Sequence, residues 1–378
     1  MKKSILLILV IALTCCIVAG CGDNTATGPP TGGEPSEEAA GTTTRTVTDM
    51  VGREVEIPAT VEKIVPLANT PRMITYLGLA DKVVGISGMA ADNITPVTAY
   101  AYANKDLWAN LPVVGTDAAG ATDYYPEEII RVDPDIILCS YAADLADEIQ
   151  TKTGIPVVSV PIGTLFGEDY EQALRFLADV CGVPERAEEV IAFINGCLDD
   201  LYTRTANVPD EDKPTVLGSA ATFKGPHGIE GVYANHSLFK ALNANDVTRE
   251  SSDLVGGVLV DKEQIIGWNP DYIFFDFTGL ELVKNDLKEN PGFYAQLKAF
   301  QNGNLYQYPN ATSYYSNVEI PLVNCYYIGS IIFPEQFEDI TFEDKANEIF
   351  EFFLGDNDYL SKLEAFGASY SKVTFGES

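Results

Sequence analysis

The residues between Gly182 and Pro209 constrain the fold more than any other part of the chain. Pro184 opens them, Gly182 precedes them and Pro209 follows. Between these breakers Ala187, Val190, Ile191, Ile194, Leu198 and Leu201 recur at steps of three and four, with Glu185, Glu188, Glu189, Asp199 and Asp200 on other faces. That spacing predicts one amphipathic helix of about 22 residues, roughly 33 Å long. A helix of that length can bridge two lobes.

On both sides of it, short apolar runs alternate with helical ones. A hairpin over VTDMVGREVEIP leads into strands at Ile64–Leu67, Val83–Ile86, Asp135–Cys139 and Val157–Val160. Helices are expected at Pro71–Leu79, Pro126–Val132 and Leu145–Lys152. Strand signals resume at Thr215–Ser219, Tyr272–Phe277 and Leu305–Tyr308. Such alternation predicts an α/β protein of parallel βαβ units, and 378 residues suffice for two lobes.

An internal repeat relates the lobes. PEEIIRVDPDIIL at 126–138 aligns with KEQIIGWNPDYIF at 262–274, placing Glu127 on Glu263, Pro134 on Pro270 and Asp135 on Asp271. Each copy reads as a short helix, an Asx-Pro-Asp turn and a buried strand, which turn chemistry alone can produce.

The N-terminus carries an address. Lys2 and Lys3 precede an uncharged apolar run from Ile5 to Ala19, too short for a bilayer span and suited to a signal peptide. The run ends in Val18-Ala19-Gly20-Cys21, which resembles a lipobox with Cys21 as the lipidated residue. Residues 22–45 are Gly, Pro, Thr and Glu with little that is apolar, the composition of a flexible tether. The expected layout is a signal peptide at 1–20, a lipid-anchored tether at 21–45, a first lobe at 46–182, the bridging helix at 183–207 and a second lobe at 208–378. No later stretch reaches 18 apolar residues, so the expected membrane attachment is lipid alone, on the extracytoplasmic face.

Charge and residue counts exclude several functions. Lys and Arg total 24 against 55 Asp and Glu, a net charge of −31, so nucleic acid is a poor partner. Two His cannot complete a three- or four-His zinc site. GxSxG, HExxH and P-loop motifs are absent, and no enzyme activity or cofactor is expected. Cys139, Cys181, Cys197 and Cys325 lack CxxC spacing and read as buried free thiols, with a Cys181–Cys197 bridge left open.

The order of lipobox, tether, βα lobe, single long helix and second βα lobe resembles the class III solute-binding proteins of ABC importers, which carry iron(III)–siderophores, haem and cobalamin. VEKIVPLANTPRMITYLGLADKVVGIS, YPEEIIRVDPDIILCS, TGIPVVSVP, DKEQIIGWNPDYIFFD and VEIPLVNCYYIGSIIFPEQFEDITFEDKANEIFEFFLG carry the resemblance, over about residues 45–355. It implies two Rossmann-like lobes on a rigid helix and partnership with a permease dimer and its cytoplasmic ATPase. It further implies a monomer that captures an iron(III)–siderophore or related metal chelate, and permease docking through Glu127 and Glu263. A helix-terminal Glu is also favoured by the macrodipole alone.

Ligand residues are sought where strands end and loops of both lobes converge. Arg72 and Lys224 are candidates for the oxygen-rich rim of a chelate. Tyr100, Tyr102, Tyr141, Tyr314 and Tyr315 offer flat faces with polar tips, though each also reads as a core or rim residue. Thr116 follows the run Val113–Gly115, and His227, between glycines, reads equally as a turn histidine. The rival ligands are bare iron(III) held by Tyr and Asp, or cobalamin or haem. A tethered sensor or adhesin is the remaining alternative.

Overall fold

The computed structural model of the protein describes residues 43–87, 94–116, 123–251, 256–309 and 318–375. The expected signal peptide, nearly all of the expected tether, Cys21, Tyr314 and Tyr315 lie outside the described residues.

The first lobe begins with β1 (Thr44–Thr48) and β2 (Glu54–Pro58), an antiparallel hairpin. Asp49 in its turn accepts from the amides of Val51 and Arg53 and, across the lobe, from the amide of Ser159 at 3.1 Å. The strands β3 (Ile64–Pro66), β4 (Ile86–Ser87), β5 (Val113–Thr116), β6 (Asp123–Tyr124), β7 (Ile136–Cys139) and β8 (Val157–Ser159) follow. They order as β3-β7-β8 and β4-β5-β6, linked by a parallel bridge between Ile64 and Val83. Every residue of β3, β7 and β8 is buried, as continuous apolar runs covered on both faces require.

In the second lobe, β9 (Thr215–Ser219), β10 (Gly231–Ala234), β11 (Asn245–Asp246), β12 (Gly256–Leu259), β13 (Tyr272–Asp276), β14 (Leu305–Tyr308) and β15 (Ser371–Lys372) make one seven-stranded sheet. The parallel strands β9, β13 and β14 sit where the apolar runs place them. β10 and β12 extend one edge as an antiparallel pair and β15 closes the other. These additions carry too few apolar residues to show in the sequence.

The repeat is a piece of local chemistry used twice. The helices Pro126–Val132 and Lys262–Trp268 end on Asp133 and Asn269 in the left-handed conformation, φ 48° and 44°. Pro134 and Pro270 then prevent continuation. Asp135 accepts from the amides of Glu62 and Lys63 at 2.7 and 2.8 Å, and Asp271 from the amide and hydroxyl of Thr215 at 2.9 and 2.7 Å. Each Asp thereby fastens its strand to the neighbouring parallel strand.

The lobes are joined by the helix Pro184–Thr205, 22 residues long. It buries Ala187, Val190, Ile191, Ile194, Cys197 and Leu201, with Cys197 in the stripe and Leu198 at its half-buried edge. The chain also returns across the seam. The helix Phe342–Leu354 packs on the first-lobe helices Thr70–Tyr76 and Ala99–Ala103, and Tyr359 donates to the carbonyl of Pro96 at 2.7 Å. Phe193 of the bridging helix stacks on Phe352, with centroids 3.9 Å apart and planes at 5°. Arg186 donates to the carbonyls of both Tyr76 and Phe352. One hydrophobic cluster consequently runs from Ile64 and Tyr76 through Ile191 to Phe239, Phe274 and Tyr308. Cys139, Cys181, Cys197 and Cys325 are free and buried. Among the described residues no helix is long and apolar enough to cross a membrane.

Candidate functional site

A cavity of about 350 Å³ lies between the lobes. The first lobe supplies Asn69, Arg72, residues 162–165 and Tyr170; the second supplies Phe223, residues 233–237, Gly256 and Gly257. A larger hollow of about 550 Å³ lies outside the cleft, on the acidic outer face beside Phe193 and Phe352.

Arg72 reaches the cavity because the chain turns sharply after β3. Ala68 takes a left-handed conformation, φ 55°, and Pro71 opens the helix Thr70–Tyr76. The Arg72 side chain is 2% exposed, donates to Asn69 Oδ1 at 2.9 Å and has its guanidinium 5.8 Å from the Tyr100 ring centroid. Tyr100 thus backs the cation from the core and does not line the cavity. Tyr170, on the helix Glu168–Cys181, is 3% exposed and its hydroxyl has no hydrogen-bond partner. Burial raises its phenol, which stays protonated.

The opposite wall is β10 and the turn that follows it. Tyr233 donates to Asp276 Oδ2 at 2.9 Å and accepts from the Thr222 amide at 3.0 Å. Burial pushes the Asp276 carboxyl up to about 6, against hydrogen bonds from Thr278, Tyr233 and Thr222. Asn235 is left-handed, φ 52°, and His236 precedes the short helix Ser237–Ala241 without a side-chain cap bond. The His236 amide donates to Asp246 at 3.2 Å, which fixes the turn. Burial drives its imidazole down to about 3, so the ring is neutral, and Nε2 has no partner. Gly257 leaves room for Phe223 beside β12, since a Cβ there would fall 2.4 Å from the Phe223 ring.

Of the ligand residues expected from sequence, the structure brings Arg72 to the cavity and leaves the other described ones outside its lining. Tyr102 packs edge-on to Tyr359 with Lys105 over its face. Thr116 shares a hydrogen bond with Tyr125 at 2.6 Å. Tyr141 is buried in the first-lobe core, its carbonyl accepting from Ser159. Lys224 is exposed on a left-handed turn, φ 53°. The His227 ring lies 4.1 Å from the Phe223 ring, tilted by 32°, with Nε2 2.8 Å from the Phe223 carbonyl, so it props the loop. Tyr170, Tyr233, Asn235 and His236 escape a search of parallel-strand ends because they stand on a helix face and on an antiparallel edge. The run Tyr-Ala-Asn-His-Ser, polar turn residues closing a short apolar strand, is the one local signal of that wall. Glu127 and Glu263 occupy the first turns of the repeated helices, both exposed and neither ion-paired with a described residue.

Comparison with known proteins places this geometry. A periplasmic solute-binding protein from Veillonella parvula is 22% identical, with a TM-score of 0.66 over 85% of this chain and 96% of that one. The Haemophilus influenzae protein MolA, solved with molybdate, is 18% identical, with a TM-score of 0.63 over 82% of this chain and 98% of that one. Helicobacter pylori CeuE, solved as a nickel–histidine complex, is 20% identical, with a TM-score of 0.61 over 86% and 99%. These likenesses establish the two-lobed fold. No curated protein matches the chain by sequence. The profile of the periplasmic binding proteins matches residues 71–312, well over half of the chain, and the chain belongs to the periplasmic binding protein family.

Proposed function

We propose that the chain is the substrate-binding component of an ABC importer, taking an iron(III)–siderophore or related metal chelate between its lobes and delivering it to a permease dimer driven by a cytoplasmic ATPase. The observation that carries this reading is the charge of the cavity. In a chain of net charge −31, the cavity lining holds one guanidinium and no carboxylate among the described residues. A cation in a dry wall selects an anionic or oxygen-rich ligand against the field of the surface. Phe223, Tyr170 and Tyr233 add flat apolar area, and Asn69, Asn235 and Ser237 add amide and hydroxyl groups. About 350 Å³ seats one face of a compact chelate and suits it better than a macrocycle as large as cobalamin.

Bare iron(III) is a poorer fit. A hard cation wants anionic oxygen, whereas the two tyrosines of the lining are kept protonated by burial. In this reading Cys21 carries the lipid, the monomeric protein works on the extracytoplasmic face, and Glu127 and Glu263 meet the two permease subunits through charge pairs. The test is a fluorescence titration of residues 22–378 with ferric siderophores, haem, cobalamin, molybdate and free iron(III). A ferric chelate should bind tightest, and Arg72→Met should weaken it about 10- to 100-fold, the worth of a charged hydrogen bond. Free iron bound as tightly as any chelate, or no binding across the panel, refutes the reading.

A further inference from the structure

Glu319 stands at the seam of the lobes, behind the cavity wall. It is wholly buried at the start of the helix Glu319–Ile332. Its Oε2 accepts from the Tyr76 hydroxyl at 2.6 Å, and its Oε1 has no hydrogen-bond partner. Tyr76 lies four residues after Arg72 on one helix face, so the carboxylate is tied to the element that presents the cation of the cavity.

The groups that act on Glu319 can be named element by element. They are Arg72 and Tyr76 on the helix Thr70–Tyr76, Tyr170 on the helix Glu168–Cys181, Tyr359 on the helix Tyr359–Phe366, and Tyr370 just before β15. Burial raises all four phenols, which stay uncharged, so Arg72 is the one charge among these groups. Burial pushes Glu319 up to about 7, while the Tyr76 bond, then its own backbone amide and last the Arg72 charge hold it down. A carboxyl so placed exchanges its proton within the physiological range.

We infer that Glu319 is the counter-charge of Arg72 and sets the charge the cavity accepts, so that an anion captured against Arg72 draws one proton from solvent onto Glu319 while an uncharged ligand draws none. The inference rests on the cavity being the ligand site. A bound anion takes over the field of Arg72 and repels a second negative charge in the same dry region. Protonation relieves that repulsion. By linkage, affinity for the anion then falls up to about tenfold per pH unit above the titration of Glu319, and affinity for an uncharged ligand stays level.

The experiment is calorimetry at pH 7.5 in buffers of different ionisation enthalpy, with a trianionic ferric tris-catecholate and an uncharged ferric trihydroxamate as probes. It is paired with infrared titration of the ligand-free protein. Proton uptake approaching one per tris-catecholate, absent with the trihydroxamate and lost in Glu319→Gln, is the expected result. Wild-type and Glu319→Gln protein binding the tris-catecholate with equal proton uptake overturns it. Should neither probe bind, the chelate reading of the cavity falls, and the ligand-free titration judges the Glu319–Arg72 coupling by itself. A buried carboxyl band that disappears near neutral pH, is missing in Glu319→Gln and persists to higher pH in Arg72→Gln supports the coupling. A band unmoved by Arg72→Gln refutes it. The buffer dependence of the wild-type protein is informative even if a variant does not fold.

Discussion

Removing the hydroxyl of Tyr76 tests the seam between the lobes directly. In Tyr76→Phe the ring still fills its place against Phe353, whose centroid lies 5.1 Å away, so no cavity opens. Two buried groups lose their partner: Glu319 Oε2, which accepts at 2.6 Å, and the Val318 amide, which donates to the Tyr76 oxygen at 3.0 Å. A buried polar group left unsatisfied costs about 1–3 kcal/mol, so the pair should cost about 4 kcal/mol when Glu319 is ionised. The cost must depend on pH. The Tyr76 bond favours the carboxylate, so its loss raises the Glu319 carboxyl beyond the value of about 7 that burial already imposes. A carboxyl raised in the folded state contributes stability that is fully present below its unfolded value and is lost as pH rises through the folded one. Tyr76→Phe should therefore lose least at pH 5.5, where Glu319 is protonated in both proteins, and most at pH 8.5. Urea unfolding at the two pH values, with equal m-values, measures the difference. A cost that is the same at both, or below about 1 kcal/mol at pH 8.5, refutes the reasoning.

Further outcomes follow from the same geometry. Asp135→Ala and Asp271→Ala should each destabilise by about 2 kcal/mol through the lost strand anchors, and the double variant should sum them because the sites are in different lobes; strong non-additivity in urea melts would count against two independent copies. His236 is neutral in the fold, its imidazole pushed down to about 3, so its contribution is present above its unfolded value near 6.5 and is lost as pH falls toward 3, about 5 kcal/mol in all. His236→Gln should flatten the loss of stability between pH 6.5 and 4.5, and an unchanged slope would rule the histidine out. Charge reversal at Glu127 and Glu263 together should abolish uptake into cells while leaving chelate affinity in solution within about twofold, as expected of exposed charges that orient a partner; weakened chelate binding would instead place them in the ligand site.

What the sequence disclosed depended on how local the cause was. The bridging helix and the repeated Asx-Pro-Asp turn are set by residues within one or two turns of each other, and both appear where the spacing puts them. Arg72 was legible because it follows the first parallel strand, where such folds collect ligand residues. Tyr100, fourteen residues past the strand signal that ends at Ile86, looks from sequence like a ligand aromatic, yet tertiary packing sets it behind Arg72. The wall made by Tyr233, Asn235 and His236 was hidden for a different reason. β10 is four residues long and pairs antiparallel with the Gly-Gly edge of β12, and neither strand carries an alternation long enough to read. Glu319 was the least legible. A glutamate opening an apolar helix reads as a solvated N-terminal residue, and only the return of the chain across the seam buries it.

That return bears on how ligands can be told apart. A hinge through this seam would have to part Phe193 from Phe352 and Tyr359 from Pro96, and strip Arg186 of two carbonyl partners. Exposing even three or four such aromatic groups costs about 2–3 kcal/mol each, a large share of the binding energy of a micromolar ligand, about 8 kcal/mol. Wide closure is accordingly a poor means of discrimination for this protein. With wide closure so costly, selection falls to what the walls present, one guanidinium, two phenols and a neutral imidazole, and to the Glu319 carboxyl behind them. Variants at these groups should therefore change which charge of ligand is bound, whereas variants at the seam, Tyr76→Phe among them, should change stability first.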